Sequence, residues 1–544
     1  MARNRPRLIS SRLTHFGAPT GGWNSYANVT QMDPTDAFQL DNMFPETTYV
    51  RLRHGSQLYA QLSGTPGPVK SLFSWSSVTG DKLLAAYNGS IWDLSGASMG
   101  GTPANWDHVN WDNFTWSGLA GTSIASGFTS DIWQGVNFAT ISTPIGQYWI
   151  GVNGTGKQWI YNGTTFVAGV NTLGPSAAPA PDSNKFSCIT DYQGRLFFTT
   201  DDNLFLYYLN APGIYQGELH AINLGQLLPK GGAIACMATW TRDNGAGGMD
   251  DVLVIVSTHG EVLCYLGTNP DDLSMWNFLG RYQVGRPVSG HRQLVKLGPD
   301  LMLICEDGFQ AMAKYLALGT SQALTTAISR KIGNAVTQAV SSNKDLFGWE
   351  AILWPTRNAL LVNVPQPALP EQQFVVNTIT GSWCRFLGLN AYCWCVVDKN
   401  IYFGSINGMV IQADIGADDQ GQPISYEMVT SFQLPGGTAQ VKRATMVRPY
   451  FMADGPSMPT LDVNVDYNVQ SVGSPITFSG QTTQWDNFNW DQANWNGDLV
   501  AQTNWYSVQG LGNSFAVHLS GKAKALTLNL LAFDLAFESG SGMV

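Results

Sequence analysis

The chain reads as an all-β protein: a β-propeller-like domain, an additional C-terminal β-sandwich-like domain and one short helical insertion. Three observations predict this. Apolar hairpins with Gly, Asn or Asp turns recur at intervals of roughly 40 to 60 residues, the spacing of four-stranded propeller blades. Only 12% of the 544 residues are charged, while 12% are aromatic and 58 are glycine, a balance that suits sheet faces and turns. Beyond about residue 417 the hairpins give way to longer strands divided by Gly/Pro loops.

Residues 1–80, with Gly21-Gly22-Trp23-Asn24, Pro34, Pro45 and Pro68, resemble a wrapping lead-in more than an independent domain. Arg3, Arg5, Arg7 and Arg12 concentrate positive charge at its start. Such an arm is either solvated or docks on an acidic partner.

The propeller-like domain is placed at 81–416. Its hairpins are Leu83 to Trp92, Tyr148 to Tyr161, Arg195 to Tyr207, Val252 to Leu263, Leu301 to Phe309, Phe374 to Phe386 and Ile401 to Ile411. Each short sheet would be apolar on both faces, so it must stack on neighbours, and closing the ring protects the edges. Five, six or seven blades fit the spacing; a series of hairpins in stacked sandwiches is the alternative. One interruption, about 321–342, has helical spacing through Leu324, Ile328, Ile332, Val336 and Val340. It is expected to pack beside a blade or bridge to a neighbouring subunit.

In the C-terminal domain, 417–544, strands are expected at Ser425 to Phe432, Ala444 to Phe451, Leu461 to Tyr467 and Ala525 to Phe537. A Trp-rich excursion interrupts it. Trp485, Trp490 and Trp495 there repeat the five-residue spacing of Trp106, Trp111 and Trp116, with Asp after the first two of each set. Five residues fit neither a helix face nor a strand face. Compact, turn-rich segments are therefore expected, serving as contacts to other proteins or as internal aromatic plugs.

The net charge of −10 argues against general adhesion to nucleic acid but suits a conduit through which DNA slides. Seven cysteines, mostly inside apolar strands, read as small buried hydrophobes and point to assembly in a reducing cytoplasm. Neither a signal peptide nor an apolar run of spanning length is evident. A motif search finds no Walker loop, HExxH, GxSxG or paired-CxxC zinc spacing. The seven histidines are scattered singly. The segments Asp243 to Asp251 and Asp418-Asp419 are candidate Ca²⁺ loops without the ligand alternation of a dedicated one. Asn377 to Trp383 approximates an Asp-box turn but lacks its Asp. No catalytic, metal or cofactor-binding residue is assigned, and the expectation is a protein that is not an enzyme.

Several phrases carry a resemblance. Gly21-Gly22-Trp23-Asn24 with Asn42, Phe44-Pro45 and Leu52-Arg53, Asp300 to Gly308, Gly381 to Phe386 and Val447-Arg448-Pro449 are similar to a family of virion proteins from short-tailed bacteriophages. This is the tail nozzle or hub β-propeller family, similar to tail tubular protein B. The resemblance covers nearly the whole chain, although no single motif is diagnostic and the Trp ladders have no counterpart in it. It implies a homohexameric ring beneath the portal and its adaptor, enclosing the DNA ejection channel and carrying tail fibres or spikes. It also implies residence in the virion tail and no catalytic residues. A carbohydrate- or receptor-binding propeller is the alternative, and a propeller glycoside hydrolase a third.

Overall fold

The computed structural model describes residues 11–78, 80–95, 121–141, 146–174, 185–243, 249–318, 327–368, 370–437, 440–470, 473, 475–479 and 499–539. Seven short sheets stand around one axis. Blade 1 is Ser71–Ser77, Gly80–Tyr87, Ser90–Asp93 and Thr122–Ser126; blade 2 is Gln134–Ala139, Gln147–Val152, Trp159–Tyr161 and Phe166–Ala168. Blade 3 is Phe186–Tyr192, Arg195–Thr200, Phe205–Leu209 and Glu218–Asn223, with Thr172–Leu173 added in parallel outside. Blade 4 is Ile234–Asp243, Met249–Ser257, Glu261–Gly267 and Trp276–Gln283.

Blade 5 has three strands, Leu294–Leu297, Asp300–Cys305 and Gly308–Ala311, running straight into the helix Met312–Leu318. Blade 6 is Glu350–Trp354, Ala359–Val364, Gln372–Asn377 and Trp383–Leu387. Blade 7 is Cys393–Val397, Asn400–Gly404 and Met409–Ala413, completed by Ser56–Gln61 from the start of the chain. The first strand of each blade packs on the first strand of the next, and that of blade 7 packs on that of blade 1, so the ring closes.

Each of the seven hairpins expected from sequence falls in a different blade. The hairpin of blade 1 shows why the motif folds. Asn88 and Gly89 both take positive φ (53° and 67°), the turn that matches strand twist, and Tyr87 then pairs with Ser90. Apolar side chains on both faces fill the spaces between blades. Trp149 of blade 2 stacks on Phe73 of blade 1 with centroids 3.8 Å apart. Tyr208 and Phe197 of blade 3 share a cluster with Leu253, Ile255 and Leu263 of blade 4.

The expected boundary at residue 81 falls inside blade 1, because its innermost strand is Ser71–Ser77. Ser56–Gln61 likewise belongs to blade 7, its Gln61 opposite Met409 and its Ser56 opposite Ala413. Pairing this early strand with the last blade covers the open edge of Met409–Ala413, which is the physical reason this part of the lead-in is drawn into the ring. The rest of the described lead-in joins the C-terminal domain. Gly22–Trp23 and Asp36–Asp41 extend the sheet of blade 6 through Ile424–Thr430 and Phe515–Lys524 to Thr460–Val465, giving one continuous ten-stranded sheet. The facing sheet is built from Ser11–Gly17, Leu528–Ser539, Lys442–Ala453, Tyr506–Gly512, Val500–Gln502, Val50–Leu52 and Met43–Pro45. Met428, Val517 and Leu519 of the first sheet and Val447, Phe533 and Leu535 of the second share one buried cluster, a sandwich core.

Within the expected helical insertion, the described part forms a 3₁₀ turn, Arg330–Ile332, and a helix, Gly333–Asn343; residues 321–326 lie outside the described residues. The helix packs on Gly308–Ala311 of blade 5, burying Ile332, Val336 and Val340 from the expected stripe. Among the described residues no helix is long and apolar enough to cross a membrane.

Candidate functional site: the axial hub and cavity

The segment Gly290 to Gln293, which leads into blade 5, lies across the propeller axis. Gly290 holds a left-handed φ of 105°, and the buried Gln293 amide donates to Val288 O at 2.7 Å, fixing the bend. This bend aims two charged side chains at the other blades. Arg292 donates to Ser71 Oγ at 2.7 Å and Lys70 O at 3.3 Å in blade 1, and to Trp133 O at 2.8 Å just before blade 2. It also meets Glu350 of blade 6 at 3.5 Å. Glu350 in turn accepts the Trp394 N–H of blade 7 at 2.9 Å. His291 lies 2.5 Å from Ala235 O of blade 4 through Nδ1 and 3.2 Å from Asp201 of blade 3 through Nε2. Its own carbonyl accepts from Gln134 of blade 2 at 2.9 Å.

One four-residue bend thus reaches every other blade, blade 7 through Glu350. The electrostatics follow from burial. Desolvation pushes the Glu350 carboxyl above its ordinary pKa, with Arg292 and the Trp394 N–H opposing. Desolvation lowers His291, but the hydrogen bond and charge of Asp201 outweigh it, and the imidazole lies above its ordinary value. For Asp201, desolvation raises and His291 more than compensates, leaving the carboxyl low.

Beside this hub the axis opens into a cavity of about 630 Å³. Blades 2 to 5 and the approach to blade 6 line it, with Asn153, Asp201, Thr258, Ser289 and His291 as polar groups and Phe347 and Ile132 as apolar ones. Arg292 lies over the Phe347 ring, 6.0 Å from its centroid.

Trp106, Trp111, Trp116, Trp485, Trp490 and Trp495, and Arg3, Arg5 and Arg7, all lie outside the described residues. All seven cysteines are buried and unbridged, and burial pushes the Cys188 and Cys264 thiols up to about 12. Asp419, of one candidate Ca²⁺ segment, accepts from Arg53 Nη1 at 2.9 Å and Ser56 Oγ at 3.0 Å, tying the lead-in to the domain junction. Among the described residues no group of three or more His, Cys, Asp or Glu is placed to hold a metal ion. In the Asp-box lookalike, Asn377 takes the turn-capping role, its Oδ1 accepting from Ile379 N at 2.9 Å and its amide donating to Pro45 O at 3.0 Å.

Sequence reasoning missed His291, Arg292, Asp201 and Glu350. His291 and Arg292 share one bend, but Asp201 and Glu350 lie on distant segments, so no local spacing joins the pairs. The one signal was Ser289 to Gln293, a polar and charged run directly before an apolar strand.

Fold and hub together define a seven-bladed β-propeller fused to a β-sandwich. No protein-family profile matches the chain, and no curated protein does. Among solved structures, the chain is similar to BBS1N in a crystal structure with ARL6DN soaked with lead, at 12% identity over 68% of this chain and 98% of that one, TM-score 0.35. A mercury-soaked crystal of the same complex matches at 12% identity over 48% and 73%, TM-score 0.28. Scores this low carry no argument about function; the propeller stands on its own sheet pairings.

Proposed function

We propose that this chain is a structural virion protein, a subunit of the tail nozzle or hub ring of a short-tailed bacteriophage. The observation that carries the reading is the ten-stranded sheet in which blade 6 runs on into the C-terminal domain. A propeller and sandwich joined by a shared sheet cannot hinge freely, which suits a subunit that bears load in a ring. The sparse charge supports it as well, since few Lys and Arg means few phosphate contacts to retard passing DNA. The axial hub closes the propeller's own centre, so in such a particle DNA passes through the hole between subunits, along the axis of the ring. Portal and adaptor contact one end of that ring, and fibres or spikes attach outside it. Assembly takes place in the host cytoplasm.

The test is co-expression with the portal and adaptor proteins of the same virion. Co-purification as one stoichiometric particle is the expected result. A chain that stays monomeric in their presence overturns the proposal.

A further inference from the structure

We infer that the axial cavity is a carbohydrate-binding site that takes one to three neutral sugar rings. About 630 Å³ lies within the range of small-ligand sites. The chemistry of the lining then selects the class. Its cations are already matched: His291 faces Asp201, and the Arg292 guanidinium is bonded to Ser71, to two backbone carbonyls and to Glu350, while Asp345 stands exposed at the rim. A phosphate or nucleotide would find no cation free to meet it, and would face the carboxylates of Asp201 and Asp345 as well. What remains suits a molecule with many hydroxyls.

Thr258 and Ser289 present hydroxyls that both donate and accept, and Asn153 presents an amide whose hydrogen bond to Ser130 O is a long 3.4 Å. Asp201 keeps 62% of its side-chain accessibility, so its carboxylate faces the opening with lone pairs to spare for paired sugar hydroxyls. The half-buried Phe347 ring supplies an apolar wall for the C–H face of a pyranose. These groups come from blades 2 to 5 and the approach to blade 6, all fastened by the Gly290 to Gln293 bend. The site is therefore held in shape before ligand arrives.

The test uses the full chain and a panel of neutral di- and trisaccharides of glucose, galactose, mannose and N-acetylglucosamine. Binding is read by saturation-transfer NMR and calorimetry. At least one saccharide is expected to bind, with affinity at least tenfold weaker in Asp201→Ala. Thr258→Trp, whose exposed position lets an indole fill the cavity without disturbing a strand core, should abolish binding at an unchanged melting temperature. Absence of transfer from every member overturns the inference. Binding that survives undiminished in Thr258→Trp overturns it too, because the sugar would then sit elsewhere. Neither outcome depends on whether the chain assembles with a portal.

Discussion

Arg292 Nη2 donates to the Oγ of Ser71 at 2.7 Å, joining residues 221 apart in sequence and fastening the approach to blade 5 onto the first strand of blade 1. The same guanidinium reaches Glu350, whose side chain keeps only 14% of its accessibility. The ring is thus tied at its centre as well as along its blade faces.

Replacing Arg292 by Ala leaves the Glu350 carboxylate buried without its cation. Breaking one side of a buried pair costs about 3–5 kcal/mol. Urea unfolding of Arg292→Ala should show a loss of that order, with part regained in the double variant carrying Glu350→Gln. A loss under about 1 kcal/mol, the level of an exposed ion pair, would contradict the hub.

Gly135 and Gly151 face each other across two strands of blade 2 and form the bed of the Trp149 indole. A Cβ on either would collide with that ring, which is stacked on Phe73 and cannot retreat. Neither glycine holds a positive φ; at Gly151 the ring excludes a side chain, and at Gly135 the ring and the Ile150 carbonyl both do. Gly151→Ala should cost about 1–3 kcal/mol. Adding Trp149→Leu should cancel most of that increment, although Trp149→Leu is itself destabilising; additive effects in the thermal or urea denaturation cycle would refute the coupling.

At Glu371, burial pushes the carboxyl up to about 7, with a backbone N–H from Gln366 opposing. A carboxyl whose folded pKa lies above its ordinary 4.5 favours the fold below that value. The benefit disappears as pH rises through about 7. Glu371→Gln should therefore raise the melting temperature most above neutrality and least in acid. A stabilisation independent of pH would contradict the burial.

The His291–Asp201 pair works at both ends of the pH scale. Asp201 is lowered from 3.8, so its contribution is complete above that value and lost as pH falls through the lowered pKa. His291 is raised from 6.5, so its contribution is complete below 6.5 and lost as pH rises through the raised pKa. The stability difference between the native chain and Asp201→Asn should peak between those limits and shrink on either side. A difference flat across the range removes the pair from the account.

The cysteines give a simple chemical check. Thiolate is the reactive form, and burial both hides these thiols and raises their pKa. Iodoacetamide at neutral pH should leave the native chain unmodified and alkylate all seven after denaturation, read by mass.

The blade hairpins were legible in the sequence because each is a local event. An apolar strand, a Gly or Asn turn and a second strand lie within about twenty residues, and the helix at Gly333–Asn343 shows the same locality through Ile332, Val336 and Val340. Ring closure was not legible, since the pairing of Ala60 with Val410 joins segments whose sequences carry no mark of each other. The strand Phe515–Lys524 was overlooked for a related reason. Its Val517, Leu519 and Ala523 are buried while Ser520 and Lys522 face outward, but Gly521 and His518 break the apolar pattern. The hub was hidden more deeply. One short bend supplies His291 and Arg292 while their partners come from the other blades, and polar residues destined for burial look like loop residues until the fold supplies those partners.

The central claim is that this chain builds the nozzle ring of a phage tail. Electron microscopy of the purified full chain, alone and with its adaptor, tests it most directly. The account predicts sixfold class averages with an open central hole, each subunit showing a propeller and a sandwich joined without a hinge. Single two-lobed particles that never close into a ring, with or without the adaptor, would contradict it.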